Sequence, residues 1–329
     1  MTKKLTTLLA AAAVVALSAS AQAQITMKAS HQFPGGKGDP RDEMVQIIAK
    51  EMKAAGVDIQ VYPGASLFKP NDQWNALVNG QLDFAAFPLD YASGKVGAFS
   101  ATLMPGLVRN HDRAARLNSS PFMKEIKAKI EKAGVVVVAD AWLAGSVASK
   151  KGCIRKPDDI KGQKVRSAGP TFAQMWQQAG ASIVNIPSNE VYNALQTGVA
   201  EGTDTSNGSF VSFRIYEQVK CITAPGENAL WFMYEPVLMS KKSYDKLSAD
   251  QKKALMAAGK KSEDYFNAES RKLDDKMVET FKKNNVEVVT LTKEEYDAWI
   301  KIAQQSSYKV FASEVSDGQK LIDAALAVK

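Results

Sequence analysis

An α/β chain of two domains, with one long helix laid across both, is the architecture this sequence predicts. Three observations carry it. Two successive strand-helix-strand-helix-strand patterns occupy the first two thirds of the chain, an uninterrupted helical run follows them, and an apolar leader precedes them.

In the first pattern "ITMKAS" reads as a strand, followed by a helix over 42–55, the strand "VDIQVYP", a helix over 71–79 and the strand "LDFAAFP". In the second, "QKVRS" leads into a helix over 171–179, then "ASIVNIP", a helix over 189–197 and "EGTDTS". The two share an order of elements without a sequence repeat. Two such units suggest two α/β domains facing one another. Between them "VVVVADAWLAG" reads as one buried strand that carries Trp142 near its end and leads to the crossover.

The helical run is "SADQKKALMAAGKKSEDYFNAESRKLDDKMVETFKKNN". Ser248 and Gln251 form a capping box, Leu255, Ala258, Ser262, Phe266, Leu273, Met277 and Phe281 recur at helical spacing, and no proline interrupts them. At 1.5 Å per residue such a helix reaches roughly 50 Å, longer than one small domain, so it is expected to cross both. A coiled coil is the rival reading, but the stripe keeps no sustained heptad. "VEVVTL" supplies a further strand. Thr292 and Glu295 form a second capping box with Leu291 and Tyr296 as its staple, and Ser316 with Gln319 marks the start of a last helix. The expected division is residues 24–146 with about 236–275 in domain I, and 147–235 with about 276–329 in domain II.

The leader, MTKKLTTLLAAAAVVALSASAQAQ, has Lys3 and Lys4 ahead of an apolar run from Leu8 to Leu17 and ends on Ala21-Gln22-Ala23. That is the pattern of a secretory signal peptide cleaved after Ala23, and the run is far short of the roughly 20 residues a membrane span needs. A periplasmic location is therefore expected. Net charge is +7, from 42 basic and 35 acidic residues. The basic residues are scattered among acidic ones, as on a solvated helix face, so no nucleic-acid partner is expected. Cys153 and Cys221 are the two cysteines, and an even pair in an exported chain points to a disulfide. His31 and His111 lack partners at metal-ligand spacing, so neither metal nor cofactor is expected.

Open α/β sheets present ligands at the carboxyl ends of their strands. That rule selects Ser30, His31, Gln32 and Phe33, then Phe87 and Pro88, in the first unit, and Arg166, Ser167, Thr205, Ser206 and Asn207 in the second. Arg166 carries a planar fork of donors that suits a carboxylate, although a salt bridge would also account for it. Trp142, Phe33, Phe87 and Phe210 fit either a core or the aromatic wall of a cleft, and His31 either a hydrogen-bonded loop or a ligand contact. Catalytic signals are nearly absent: there is no G-x-S-x-G elbow and no glycine-rich phosphate loop followed by Lys, and the S-x-x-K pairs Ser66/Lys69 and Ser243/Lys246 lack companion motifs. A binding protein is expected rather than an enzyme, with a periplasmic hydrolase as the alternative.

"IKGQKVRSAG" (Ile160 to Gly169) and "EVYNALQTG" (Glu190 to Gly198) resemble the motifs of the periplasmic substrate-binding proteins of tripartite ATP-independent periplasmic (TRAP) transporters, the dicarboxylate-binding-protein-like family. "VYPGASL", "VNGQLDFAAF" and the long helix extend the resemblance over essentially the whole chain beyond the leader. It implies a two-domain periplasmic-binding-protein (Venus flytrap) fold that closes over its ligand, with Arg166 gripping a carboxylate. The implied partners are a small organic carboxylate and the small and large membrane subunits of a TRAP permease, with the chain itself a monomer. A ligand-sensing subunit that does not transport is a further alternative.

The chain also departs from the family pattern. Val147 stands where many members have a second arginine, Thr205 where they have asparagine (with Asn207 nearby as a substitute), and Pro88 beside Phe87 where the sialic-acid branch has glutamate. These departures lead to the expectation of a monocarboxylate with an aromatic or apolar body, set against Trp142, Phe33 or Phe210. Protein recovered from the periplasm is expected to begin at Gln24. Intact mass checks this, and a mass that retains Lys3 and Lys4 contradicts it.

Overall fold

The computed structural model describes residues 25–36 and 38–329; the leader and its cleavage site lie outside the described residues. Strands are β1 (Ile25–Ser30), β2 (Val57–Tyr62), β3 (Phe84–Ala86), β4 (Val135–Ala139), β5 (Trp142–Ser149), β6 (Lys164–Arg166), β7 (Ser182–Val184), β8 (Gly202–Ser206), β9 (Cys221–Ala224), β10 (Trp231–Tyr234), β11 (Val237–Ser240) and β12 (Glu287–Thr290). Helices are α1 (Pro40–Lys53), α2 (Pro70–Asn79), α3 (His111–Leu117), α4 (Pro121–Lys132), α5 (Pro170–Gln178), α6 (Val191–Thr197), α7 (Asn207–Ser212), α8 (Lys241–Asp245), α9 (Ala249–Lys283), α10 (Lys293–Ala303), α11 (Lys309–Glu314) and α12 (Gly318–Leu326).

The strands form two sheets. The first has the order β2-β1-β3-β11-β4, with β1, β2 and β3 parallel and β11 antiparallel to its neighbours. The second runs β12-β9-β5-β8-β6-β7, with β10 pairing β5. β6 is parallel to both β7 and β8, so the residues that follow these three strands gather at one edge. The fold is thus mixed α/β with two sheet-centred lobes.

Helix α9 joins them. Its capping box forms as the sequence predicts, Ser248 Oγ accepting from the Gln251 N–H while Gln251 Oε1 accepts from the Ser248 N–H. Leu255, Ala258 and Phe266 enter the core beside the first sheet, and Met277 and Phe281 enter a core of the second. The second capping box, Thr292 with Glu295, also forms, and Cys153 is bridged to Cys221. No helix among the described residues is long and apolar enough to cross a membrane.

Three expectations need correction. "VVVVADAWLAG" is two strands in two sheets, broken at Asp140, whose carboxylate takes Lys127 Nζ at 2.6 Å and the Tyr234 hydroxyl. Trp142 therefore opens a strand instead of ending one. The last helix begins at Gly318, after Asp317, and Ser316 is not its cap.

The chain's end also does not stay with the second sheet. Trp299 and Ala303 lie in the second lobe's core, then a π-helical turn at Gln304–Tyr308 carries the chain over, and Phe311, Leu321, Ile322 and Ala325 complete the core around α4. Such turns break helical periodicity without a proline, so the sequence gives no warning of the crossing.

Gly259 shows how closely α9 is laid down. A Cβ there would lie 2.1 Å from the Val138 carbonyl oxygen of β4, a backbone atom that cannot swing away. Glycine to alanine inside a helix ordinarily gains about 1 kcal/mol, but overpacking costs about 1–3 kcal/mol. Gly259→Ala is therefore expected to destabilise the protein, read as a lowered denaturation midpoint in urea.

Candidate functional site

Arg166 is the last residue of β6, with Thr203 of β8 and Val184 of β7 at its level on either side. Its side chain is fully buried. Nε donates to the Ile186 carbonyl at 2.9 Å, Nη1 to the Asp204 carbonyl at 2.7 Å and Nη2 to the Tyr91 hydroxyl at 3.2 Å. The Asp204 carboxylate lies 3.7 Å from Nη1. That carboxylate is itself fixed by Trp176 Nε1 at 2.6 Å, the Ala168 N–H at 2.8 Å and Ser167 Oγ at 3.0 Å. A guanidinium has five N–H donors. Three are used here, which leaves one on each terminal nitrogen without an acceptor among the described residues.

The second fully buried arginine, Arg41, stands in contrast. Nε and Nη2 hold Asp39 bidentately at 2.9 and 2.7 Å, and Nη1 reaches Ser209 Oγ at 2.9 Å, Ser206 Oγ at 3.0 Å and Glu235 Oε2 at 3.3 Å. Its guanidinium also lies over the Phe33 ring at 3.8 Å. Arg41 is saturated by protein groups and clasps α1 of one lobe to α7 of the other.

Between the lobes is a cleft of about 750 Å³, lined by Asp90 and Tyr91 from one side and Ser167, Gly169, Gln174 and Asn185 from the other. Pro88 starts the 3-10 turn Leu89–Ala92 that presents Asp90 and Tyr91 after β3. The Tyr91 hydroxyl also accepts from the Ser188 N–H at 3.0 Å, so this one oxygen meets two segments of the opposite lobe. Both carboxylate oxygens of buried Asp90 lack a hydrogen-bond partner among the described residues, as do both amide atoms of buried Gln32. The two follow adjacent strands, β1 and β3.

Burial pushes the Asp90 carboxyl up to about 8, with Asp204 adding to the rise and Arg166 opposing it. Burial also raises Asp204 and Glu235, against the pull of Arg166 on the first and Arg41 on the second.

The other residues singled out from sequence fall elsewhere. Trp142 packs on Tyr234 in the first lobe's core and donates Nε1 to Asn118 Oδ1 at 2.7 Å. Phe210 packs edge-on to Phe281 beneath α9. Asn207 is occupied at both ends, accepting from Ser146 Oγ at 2.7 Å and donating to Asp274 Oδ1 at 2.7 Å. Phe87 stands edge-on to Tyr91, a cleft residue, and Phe33 lies under Arg41. His31 stacks on Phe33 and pairs with Asp42 at 3.1 Å. Val147 is buried in a core of the second lobe. Of these residues, Arg166 keeps one N–H on each terminal nitrogen and His31 keeps Nδ1 without a partner among the described residues; Arg166 adjoins the cleft through Tyr91 and Ser167, which line it.

Sequence reasoning missed Asp90, Tyr91, Asp204, Arg41 and Glu235. A charged residue inside the strand "GTDTS" was the available signal for Asp204.

Asp90 generates a prediction. Its carboxyl rises from an ordinary 3.8 to about 8 in the folded chain, so the native state binds more protons across that interval. The stability it contributes is complete below the ordinary carboxylate range and is lost as pH rises toward about 8. Arg166 and Asp204 are the charged groups that act on it. Melting temperature in ligand-free protein is therefore expected to fall more from pH 5 to 8, roughly the titration window, than it does in Asp90→Asn.

With this geometry in view, residues 41–314 match the model of the bacterial extracellular solute-binding proteins, family 7. A solute-binding protein of Albidiferax ferrireducens is 36% identical over 305 residues, covering 91% of this chain and 90% of that protein. The C4-dicarboxylate-binding periplasmic protein of Rhodobacter capsulatus is 28% identical and covers 88% of each chain. Among solved structures, a TRAP periplasmic solute-binding protein of Rhodoferax ferrireducens with bound malonate superposes with a TM-score of 0.88 at 36% identity, covering 91% of this chain and 96% of that one. A Bordetella pertussis extracytoplasmic receptor binding pyroglutamic acid shares the fold, with a TM-score of 0.83 at 20% identity over 91% of this chain and 99% of that one. These relatives are receptors that hold a solute without transforming it, and the chain belongs with them, to family 7 of the bacterial extracellular solute-binding proteins, the TRAP type.

Proposed function

We propose that this protein captures a small organic monocarboxylate in the periplasm, after cleavage of its leader behind Ala23, and delivers it to a TRAP permease of one small and one large membrane subunit. The observation that carries the reading is Arg166. Its guanidinium is buried and held from three sides, and it retains one unused N–H on each terminal nitrogen beside the cleft. Two such donors in one plane match the two oxygens of a carboxylate.

A single carboxylate is favoured because the other buried arginine is spent on Asp39 and Glu235. A second carboxylate entering near Asp90, Asp204 and Glu235 would find no free buried arginine among the described residues, at a penalty of several kcal/mol. The aromatic body expected from sequence loses support, since Trp142 and Phe210 sit in cores away from the cleft. Its apolar contacts would come instead from Ile183, Ile186 and Pro187 along the cleft wall. Closure about α9 and the strands that connect the lobes is the capture step, with Tyr91 and Arg41 making contacts across it.

Arg166→Lys is expected to weaken binding of carboxylates at least tenfold, because Lys keeps the charge but loses the fork. Calorimetry with a panel that includes malonate and succinate measures both the loss and the preference for one carboxylate. Unchanged affinity in the variant would overturn the reading.

A further inference from the structure

The buried acids around Arg166 outnumber the buried arginines. Asp39, Asp90, Asp204 and Glu235 are all buried, and the buried cations among them are Arg41 and Arg166. Arg41 is consumed by Asp39 and Glu235, and Arg166 already has Asp204. Asp90 is the acid left over. It lines the cleft, is 1% exposed, and neither of its oxygens meets a donor among the described residues. A carboxylate ligand alone would satisfy Arg166 and leave both oxygens of Asp90 without a donor.

The backbone opposite is shaped around this side chain. Gly169 has an extended conformation that any residue can adopt (φ −168, ψ 176), so its lack of a side chain is not a conformational requirement. Space is the requirement: a Cβ there would lie 1.4 Å from Asp90 Oδ2. Asp90 Oδ2 thus occupies the space that a side chain at residue 169 would fill.

We propose that Asp90 is a specificity-determining residue that accepts a hydrogen bond from the ligand, and that the ligand is a carboxylate which also bears an N–H group, either an ammonium or an amide N–H. This rests on the carboxylate reading of Arg166 and deepens it. One end of the ligand supplies two acceptors to Arg166, and the other supplies the donor that Asp90 lacks. A buried acceptor left unpaired is costly, which is the basis for selecting an N–H at this position over a group that cannot donate. Gln32, whose amide is also unpartnered, follows the neighbouring strand β1 and adds a neutral donor and acceptor on the same lobe.

The test uses isosteric pairs that differ in N–H against O or CH. Proline is compared with tetrahydrofuran-2-carboxylate, pyroglutamate with its lactone analogue, and leucine with 4-methylpentanoate, each titrated by calorimetry into wild type, Asp90→Asn, Gly169→Ala and Arg166→Lys. At least one N–H acid is expected to bind wild type tenfold or more tightly than its partner, and the pair that does so separates ammonium from amide. Asp90→Asn and Gly169→Ala, each verified as folded by its thermal melt, are expected to abolish that preference while the oxygen or carbon isostere keeps its affinity in Asp90→Asn. Arg166→Lys is expected to weaken both members of a pair alike. If no N–H acid outbinds its isostere in wild type, or if the preference persists in Asp90→Asn, the inference is overturned. Loss of binding in Arg166→Lys would still uphold the carboxylate reading in that event.

Discussion

The rest of the site depends on the buried pairing of Arg166 with Asp204. Taking a guanidinium and a carboxylate out of water costs several kcal/mol per ion, and the pair is tolerable only when the remaining donors and acceptors are nearly all met. Asp204 meets this condition through Trp176, Ser167 and Ala168, and Arg166 through the carbonyls of Ile186 and Asp204. These partners come from β6, α5, β8 and the segment after β7. The ion pair thus locks four segments into one register and holds the guanidinium still. A preorganised donor pair spends less on ordering at the moment of binding.

Two buried arginines on one interface do different work, and hydrogen-bond accounting separates them. Arg41 has protein acceptors for all its nitrogens and ties α1 to α7. Arg166 has donors to spare, and they lie where the lobes meet at Tyr91. Charge or burial alone would not have distinguished the pair.

The apolar architecture sets where that interface can lie. One helix buries Leu255 and Phe266 with the first sheet and Met277 and Phe281 with the second, and the π-helical turn at Gln304–Tyr308 returns the chain to the first lobe. The lobes are thus held together by continuous, well-packed elements. Around the cleft they meet through polar groups such as Tyr91, Arg41, Ser206 and Ser188. Apolar burial is concentrated in the cores, and polar groups are concentrated where the lobes meet.

By itself the sequence determined the two α/β units, the long capped helix, the cysteine pair and the strand-end position of Arg166, because periodicity, capping boxes and strand-end position are local properties of the chain. Ser248 with Gln251 and Thr292 with Glu295 are legible because their partners lie three residues away. Tertiary structure alone decided what stood beside Arg166: Asp90 and Tyr91 are more than 70 residues distant in sequence, and nothing local marks a 3-10 turn as one wall of a cleft. It also decided which aromatic residues are core. Trp142, Phe210 and Phe33 have the same hydrophobic signature whether they face a ligand or a packed neighbour, and only the fold supplied Tyr234, Phe281 and Arg41 as those neighbours. Long-range partners are chosen by how two sheets and one helix pack in space, which no window of the chain contains.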